Sequence, residues 1–321
     1  MKRLKVVCMA MAITVSLATS AQAQQQSYPT KPVRLIVGFG AGGPTDLQAR
    51  LLAEYLAPSL GQPIIVESRP GDGSVIAHRY VAQQPPDGYT LMHSGDYAAF
   101  FPSYFPNWDL DLLRDFSYLG TITTSIGNLL LTSANAPFNN MDEFIKYARA
   151  NPGKVNWATV GVGHHTVFFR YLGKSFGLNI IEVPYKSSAD AKIAVQRGDV
   201  AMYPDASSAA EDKTLKPIMF TSNVSHPLYP QIPTMKDGEV AKLGLTFNSY
   251  FALIGPANLP NDVVAKINGA LATVAKSKAF IDREAPLGFY PRYTTPAEHR
   301  EVMARDVALQ TRIAKETGVA R

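Results

Sequence analysis

A strand, a glycine-rich turn and a helix start occur twice in this chain of 321 residues. In the first copy, a strand at residues 33–37 leads through the glycine-rich residues 38–43 into a helix. In the second copy, a strand at residues 155–159 leads through residues 160–165 into a helix that begins at Thr166. Each turn leaves backbone N–H groups at a helix N-terminus free to bind an anion. The repeat therefore predicts two anion seats, one per domain, typical of a ligand with a negative group at each end.

The N-terminus has the pattern of a secretory signal peptide. Lys2, Arg3 and Lys5 form a basic region, residues 6–17 are apolar, and small residues precede position 24. The apolar stretch is too short for a stable membrane anchor. We therefore expect cleavage after about residue 23 and a periplasmic location. Because Cys8 is the only cysteine, the mature chain is expected to have no disulfide and no thiol chemistry.

Composition excludes several classes of function. The whole chain has 31 basic and 26 acidic residues, and removing the three basic residues of the signal leaves 28 against 26. This near balance, without a run of Lys or Arg, argues against a nucleic-acid partner. No later stretch approaches the roughly 18 apolar residues of a membrane-spanning helix. The remaining length is enough for two domains of ordinary size.

Strand and helix patterns alternate along the chain, which predicts an α/β fold with mostly parallel sheets. A strand near residues 126–132 is expected to cross into a second domain, and a strand near residues 250–254 to return. Domain 1 is therefore predicted to comprise residues 24–125 and 251–321, and domain 2 residues 126–250. Two helices are expected to finish the chain, the last starting at a capping motif around Thr295.

At this point the chain resembles the receptors of the tripartite tricarboxylate transporters, the Bug or TctC-like solute-binding proteins. The resemblance covers nearly all of the mature chain, and its motifs are specific in their order and spacing. They are residues 28–34 (YPTKPVR), 42–46 (GGPTD) with Ala49 and Arg50, 60–63 (LGQP), 67–71 (ESRPG), 86–91 (PDGYTL), 152–156 (PGKVN), 183–186 (VPYK) and 231–234 (QIPT).

The resemblance implies a periplasmic binding protein type II-like fold, with two α/β domains, a two-strand hinge and a ligand cleft between them. It implies that the two glycine turns hold the carboxylates of a small acid, partly through ordered waters, and that the domains close over it. The receptor then delivers the acid to a membrane permease. We expect a monomer that is not an enzyme and uses no cofactor or metal ion.

The sequence departs from the family at both turns. His164 and His165 stand where the family usually has serine or threonine, and Gly38, Gly40 and Ala41 stand where it usually has prolines. Adjacent residues of a helix point about 100° apart, so at most one of the two histidines is expected to face the ligand. These changes concern the identity of the ligand more than the fold.

The candidate ligand-binding residues belong to the two turns and to loops that follow strands, where α/β sheets place their ligands. Each also has a structural alternative as a cap or a loop residue; for Asp46 the alternative is to complement the helix dipole. The aromatic residues between Tyr97 and Phe105 either line the cleft or belong to the core. The candidates are Phe39, Gly40, Ala41, Gly42, Gly43, Thr45 and Asp46; Gly161, Gly163, His164, His165 and Thr166; and Ser94, Tyr97, Lys186, Ser187 and Asp205.

Other functions remain open on the residues alone. Gly38, Gly40 and Gly43 also fit a dinucleotide fingerprint, and Glu67 ends the next strand, where a ribose-binding acid would lie. An exported nucleotide-dependent oxidoreductase is therefore one alternative, although the signal peptide and the second turn argue against it. A secreted hydrolase is a second alternative, but the mature chain is expected to have no cysteine nucleophile, and nothing in the sequence groups its Ser, His and Asp residues. A sensory receptor without transport would use the same cleft. We predict a receptor for a carboxylate, and most simply a dicarboxylate.

Overall fold

The computed structural model describes residues 28–318, except for 106, 126, 161–162, 186, 206, 227 and 246–248. The expected signal peptide and Cys8 lie outside the described residues. In chain order the strands are β1 (Val33–Val37), β2 (Ile64–Ser68), β3 (Thr90–Gly95), β4 (Phe116–Ser125), β5 (Leu129–Ser133), β6 (Val155–Thr159), β7 (Ile180–Pro184), β8 (Tyr203–Asp205), β9 (Leu215–Phe220), β10 (Tyr250–Pro256) and β11 (Phe289–Pro291).

The helices alternate with these strands. They are α1 (Pro44–Leu60), α2 (Val75–Ala82), α3 (Phe101–Tyr104), α4 (Met141–Ala150), α5 (His164–Phe176), α6 (Ser188–Arg197), α7 (Asn261–Val274), α8 (Lys278–Glu284) and α9 (Pro296–Thr317). A 3-10 helix, Asp96–Phe100, lies between β3 and α3. As expected, α9 begins at a capping box formed by Thr295 and Glu298. Two helices were expected after β10, whereas α7, α8 and α9 follow it.

The strands form a six-stranded, a three-stranded and a two-stranded sheet, which are divided between two lobes. Lobe 1 contains the six-stranded sheet, in the order β11-β4-β10-β3-β1-β2. Lobe 2 contains β8-β5-β9 and the parallel pair β6-β7, joined by a bridge between Trp157 and Met202. The α/β architecture is confirmed, but the expectation of mostly parallel sheets is wrong. Strand β10 runs antiparallel to β3 and β4 because the chain enters lobe 2 after β4 and returns through β10.

Two crossing segments connect the lobes and are hydrogen-bonded to each other. The Ser125 N–H donates to the carbonyl of Ser249 at 2.8 Å, and the Thr124 hydroxyl donates to the same carbonyl, also at 2.8 Å. This pairing forms the two-strand hinge. The domain boundaries at residues 125 and 250 stay a prediction.

One hydrophobic cluster contains buried side chains from both lobes. Trp157 is buried in the largest cluster of lobe 2 side chains and is stacked on Phe169 at 4.6 Å between ring centroids. Phe100 and Tyr104 are buried in the same cluster, although they follow a strand of lobe 1. Helix α9 contributes Ile313 to this cluster as well. The aromatic run after β3 is therefore largely core, because it packs between the lobes and away from solvent.

A chain of buried polar side chains links helices α1 and α8 to β3. The Gln48 amide nitrogen donates to Glu284 Oε1 at 2.8 Å, and its oxygen contacts His93 Nε2. Burial raises the pKa of Glu284 to about 7, against a smaller lowering by the hydrogen bond from Gln48. Because the pKa of Glu284 is higher in the folded state, the protonated carboxyl stabilises the folded protein, and this contribution is complete below the ordinary pKa near 4.5. It is lost as the pH rises through about 7.

Glu284→Gln removes this titration and keeps the shape of the side chain. We expect the variant to be about 2 kcal/mol more stable than the parent at pH 8, after allowing for relaxation around the charge, and nearly equal at pH 5. Urea unfolding at both pH values measures the difference. Glu54→Gln, at an exposed ion pair with Arg283, is the control without this pH dependence. A Glu284→Gln effect of the same size at pH 5 and pH 8 would contradict the prediction.

Candidate functional site

A cavity of about 260 Å³ lies between the two lobes at the hinge. The first glycine turn reaches it through Phe39, and the second turn through Val160 and His165. The two turns therefore flank one shared space. Its lining residues are Phe39, Ser125, Gly127, Asn128, Val160, His165, Ser188, Tyr203, Pro204, Asp205, Ser249, Phe251, Leu287, Gly288 and Phe289.

Both helices that follow the glycine turns begin without a side-chain cap. Gly43 is the N-cap of α1 and Gly163 is the N-cap of α5, and each has an extended backbone. By contrast, Asn140, Ser187 and Thr295 cap their helices through side-chain oxygens. At the N-terminus of a helix the dipole favours an anion. Helix α5 begins at His164, two residues earlier than expected.

The first turn is organised from within lobe 1. Asp46 is buried, and its carboxylate accepts the Gly42 N–H at 2.9 Å, with Arg50 and Ser68 as further donors. Burial alone would raise the pKa of Asp46, but these hydrogen bonds, led by Arg50, lower it below its ordinary value. Its contacts favour the structural alternative, because its oxygens already hold the turn and the helix start together.

The other residues of the first turn lie outside the cavity lining. Gly40, Ala41 and Gly42 are exposed, and Gly43 and Thr45 are half-buried. Gly42 has a φ of +81°, which explains why glycine occurs at that position. Their role in ligand binding stays a prediction.

The two histidines of the second turn point to opposite sides of the hinge. His165 lines the shared cavity. His164 reaches into lobe 1, where its Nε2 lies 2.6 Å from Asp96 Oδ2 and its Nδ1 lies 3.1 Å from the Ser249 hydroxyl. Its ring also packs on Phe100, 4.9 Å between centroids. His164 therefore connects the start of α5 to lobe 1 and the hinge.

The His164–Asp96 pair is buried, and burial disfavours the charged form of each group. It raises the pKa of Asp96 to about 7 and lowers the pKa of His164 to about 4. The Tyr250 N–H also donates to Asp96, at 3.2 Å. Since the Asp96 pKa is raised on folding, the stabilisation from this carboxyl is present below its ordinary value near 3.8. That contribution is lost as the pH rises through about 7.

His164→Ala removes the neutral imidazole that lies 2.6 Å from Asp96 and leaves the carboxyl group of Asp96 buried without this partner. We expect a loss of about 2 kcal/mol in the free energy of unfolding at pH 8, and a smaller loss at pH 5, where Asp96 can take up a proton. Urea unfolding at the two pH values tests this. Adding Asp96→Asn to the His164→Ala variant should recover much of the lost unfolding free energy at pH 8. Equal losses at both pH values, or no recovery, would contradict the proposed pairing.

The remaining candidates occupy different environments. The Ser94 hydroxyl lies 3.0 Å from His78 Nε2 in the core, and Tyr97 packs against Phe39 with 5.1 Å between ring centroids, so neither is part of the cavity lining. The buried Thr166 hydroxyl lies 3.3 Å from that of Thr159. Ser187 caps α6, accepting the Asp190 N–H at 3.1 Å.

The structure thus directs Ser94, Thr166 and Ser187 toward their own lobes, because each hydroxyl has a protein partner there. Asp205 does line the cavity, and its carboxylate lies 2.8 Å from the Lys192 ammonium. Gly161 and Lys186 lie outside the described residues. Their expected roles stay predictions.

Several lining residues carry no motif in the sequence. They come from the crossing segments and from the return of the chain to lobe 1, as Asn128, Ser249, Phe251 and Phe289 do. The predicted crossing points near residues 126 and 250 were the only available signal, since hinge segments border the cleft. The sequence does not show which of their side chains face the cleft, because that depends on the pairing of β4 with β10.

The acid expected to bind a ribose in the dinucleotide alternative is already engaged. Glu67 forms a two-bond ion pair with Arg34, at 2.6 and 2.8 Å. Among the described residues, no three His, Cys, Asp or Glu side chains converge in a way that could hold a metal ion. No helix in the described part of the chain has the length and apolar character to cross a bilayer.

Comparison with known proteins agrees with this architecture. The chain is 32% identical over 274 residues to a UPF0065 protein of Bordetella pertussis, covering 83% of each sequence. The fold matches a structure described as R. palustris Rpa4515 with adipate at a TM-score of 0.82 and 26% identity, and the periplasmic binding protein BugD at 0.81 and 26%. Both matches cover 91% of this chain and 99% of the other.

The match to a family defines the class of protein. Residues 48–319 match the sequence model of the family described as tripartite tricarboxylate transporter family receptor. Its members are periplasmic substrate-binding receptors and not enzymes, which rules out the oxidoreductase and hydrolase alternatives. The resemblance recognised in the sequence motifs is therefore confirmed, and this chain belongs to the tripartite tricarboxylate transporter receptor family, with the two-lobed type II-like fold of periplasmic binding proteins.

Proposed function

We propose that this protein is an exported receptor that binds a small organic carboxylate between its lobes and delivers it to the permease of a tripartite tricarboxylate transporter. One observation carries the proposal. The uncapped start of α5 stands beside a cavity that is lined by residues of both lobes, including Phe39 of the first turn and His165 of the second. Closure of the lobes over the bound acid is the signal that a permease would recognise.

The binding free energy available at such a site is enough for a micromolar receptor. Hydrogen bonds from N–H groups to a carboxylate contribute roughly 1.5–3 kcal/mol each, and the helix dipole adds about 0.3–1 kcal/mol. A micromolar affinity requires about 8 kcal/mol. Several such bonds, with burial of an apolar body, supply this after the cost of ordering the ligand. The expectation of a dicarboxylate additionally requires that the first turn reach the ligand, and the adipate named with the R. palustris relative supports that chemistry in the family.

A thermal-shift screen of the mature protein over small carboxylates tests the proposal. A carboxylate that binds the native state is expected to raise the melting temperature in a concentration-dependent way. Each acid is paired with its uncharged amide, for example adipate with adipamide, so that an anion requirement is measured directly. If amides and acids shift the melting temperature equally, or if no carboxylate does, the carboxylate function fails.

Delivery to a permease is tested separately, in cells. Uptake of the labelled acid is compared between the parent strain and a strain that lacks this gene. Loss of uptake supports a transport receptor. Unchanged uptake, together with a lost transcriptional or chemotactic response to the acid, would support the sensory alternative.

A further inference from the structure

The buried side chain of His226 contacts both lobes. It lies in the loop that follows β9 of lobe 2, is 1% exposed, and stacks its ring on Phe220 with 4.9 Å between ring centroids. Its Nε2 lies 3.2 Å from the hydroxyl oxygen of Tyr290 in strand β11, which belongs to the sheet of lobe 1. Since β11 pairs with the last residues of β4, where the chain leaves lobe 1, this contact joins the lobes beside the hinge.

A backbone group determines the protonation state of the His226 ring. The Leu228 N–H donates to Nδ1 at 3.2 Å, and an imidazole nitrogen accepts a hydrogen bond only when it carries no proton. The neutral ring then carries its proton on Nε2, so the contact with Tyr290 is assigned as a donation from Nε2–H to the phenol oxygen. One tautomer of the neutral imidazole therefore accepts from the loop of lobe 2 and donates to lobe 1.

A proton added at Nδ1 removes the first of these contacts. The Leu228 N–H would then face another N–H, and the charged ring would lie buried on Phe220, away from the water that stabilises a cation. Burial accordingly lowers the pKa of His226 below its ordinary value of 6.5. Because the pKa is lower in the folded state, the contribution of the neutral ring is complete above pH 6.5 and is lost as the pH falls through the lower folded value.

The His226 ring is surrounded by aromatic side chains that stay uncharged. Tyr229 of the same loop lies 5.1 Å away and Tyr290 5.9 Å away, both between ring centroids. Burial raises the pKa of both tyrosines above the ordinary value of 10, so neither ionises at pH 8 or below. A carboxylate lies behind Tyr229, whose hydroxyl donates to Glu211 Oε1 at 3.4 Å. Glu211 is therefore the neighbour that a control has to exclude.

We propose that His226 is a pH-sensitive latch between the lobes: the neutral ring holds the loop after β9 against Tyr290, and a proton at Nδ1 releases it. The proposal goes beyond the function proposed above, because the latch acts without a ligand. Release removes a contact that favours the arrangement of the lobes seen here, so the population of a more open arrangement rises. A ligand that is held by both lobes would then bind more weakly in acid.

Distances between spin labels on the two lobes test the latch in the ligand-free mature protein. Lys276→Cys in lobe 1 and Lys146→Cys in lobe 2 place the labels at exposed positions, and pulsed electron resonance measures the distance from pH 8 to pH 4.5. NMR follows the His226 ring over the same range. We expect the population of longer distances to rise about 3-fold or more, as for one lost hydrogen bond, with the midpoint of the His226 titration. No change, or a change that does not follow His226, overturns the proposal.

His226→Gln separates the latch from other groups that titrate. The glutamine amide nitrogen can donate to Tyr290 but never gains a charge, so we expect the same distance distribution at pH 8 and at pH 4.5. Glu211→Gln is the matched control and should keep the full response of the parent. A response in His226→Gln equal to that of the parent would assign the effect to another group and overturn the proposal, as would loss of the response in Glu211→Gln.

Tyr290→Phe tests the contact itself at pH 8, where acid unfolding does not interfere. It removes the hydroxyl that meets His226 and keeps the ring, so we expect the longer distances to be populated about 3-fold more than in the parent at this pH. Tyr293→Phe is the matched control, because the Tyr293 hydroxyl donates to Asn268 within lobe 1 at 2.6 Å, and it should leave the distances unchanged. Distances in Tyr290→Phe equal to those of the parent would overturn the proposal.

Discussion

Gly163→Asp is expected to weaken carboxylate binding by at least 100-fold while leaving the protein at least as stable as the parent. Gly163 has a φ of −171°, an extended backbone that any residue can adopt. A Cβ built there meets the His165 ring at 3.4 Å, which is an ordinary contact. Aspartate is a preferred N-cap, so its carboxylate should accept the first N–H groups of α5 and stabilise the helix by a few tenths of a kcal/mol. The same carboxylate occupies the anion seat and repels the ligand.

The effect is measured by calorimetric titration with the acid that binds best in the screen, and stability by thermal unfolding. Gly163→Asn is the control for capping without charge and should lose less affinity. Gly43→Asp makes the same change at the first turn, where a Cβ meets only the Gly40 carbonyl, at 3.5 Å. If both glycine turns hold the ligand, Gly43→Asp should weaken binding as strongly as Gly163→Asp does, and a loss at Gly163 alone would show that only the second turn contacts the ligand. Unchanged affinity in Gly163→Asp would remove α5 from the site.

Gly38→Ala is expected to lower the free energy of unfolding by about 4 kcal/mol or to prevent folding. A Cβ at Gly38 would overlap the Ser74 side chain, with Ser74 Cβ 2.5 Å and Ser74 Cα 3.0 Å away. Ser74 cannot move aside, because it is fully buried and its hydroxyl lies 3.3 Å from His78 Nδ1. It also has a φ of +83°, in a loop where Asp72 is left-handed as well. The glycine is therefore required for close packing between two loops.

Gly40→Ala in the same turn is the matched control. A Cβ at Gly40 has nothing within 4 Å, so we expect a change of less than about 0.5 kcal/mol. Urea unfolding followed by the fluorescence of Trp108 and Trp157 measures both variants. Similar stabilities for Gly38→Ala and Gly40→Ala would show that the loop of Ser74 is more adaptable than its packing indicates.

The three glycines that match the dinucleotide fingerprint have different roles in the fold. Gly38, Gly40 and Gly43 match a dinucleotide motif equally well in the sequence. In the fold they do different things: Gly38 admits Ser74, Gly43 leaves a helix uncapped, and Gly40 is exposed. Spacing records that small residues occur, but the reason depends on which distant segment packs against each of them.

The environments of the two histidines and of the aromatic residues after β3 also depend on distant segments of the chain. Helical geometry already requires the side chains of His164 and His165 to point in different directions. Which way each one points depends on the hinge, because His164 contacts Ser249, 85 residues later in the chain. Phe100 and Tyr104 could be ligand contacts or core on their spacing alone. They are core because α9 and lobe 2 close over them.

The amino-acid sequence by itself determined the family, the α/β architecture, the two glycine turns and local signals such as the capping box at Thr295. These depend on short-range hydrogen bonding, hydrophobic periodicity and the order of specific motifs, which are all visible along the chain. Only the tertiary structure decided which side chains face the cavity and which belong to the core. That outcome arises from strands β4 and β10, which pair across more than a hundred residues and bring the aromatic end of lobe 1 against the start of α5.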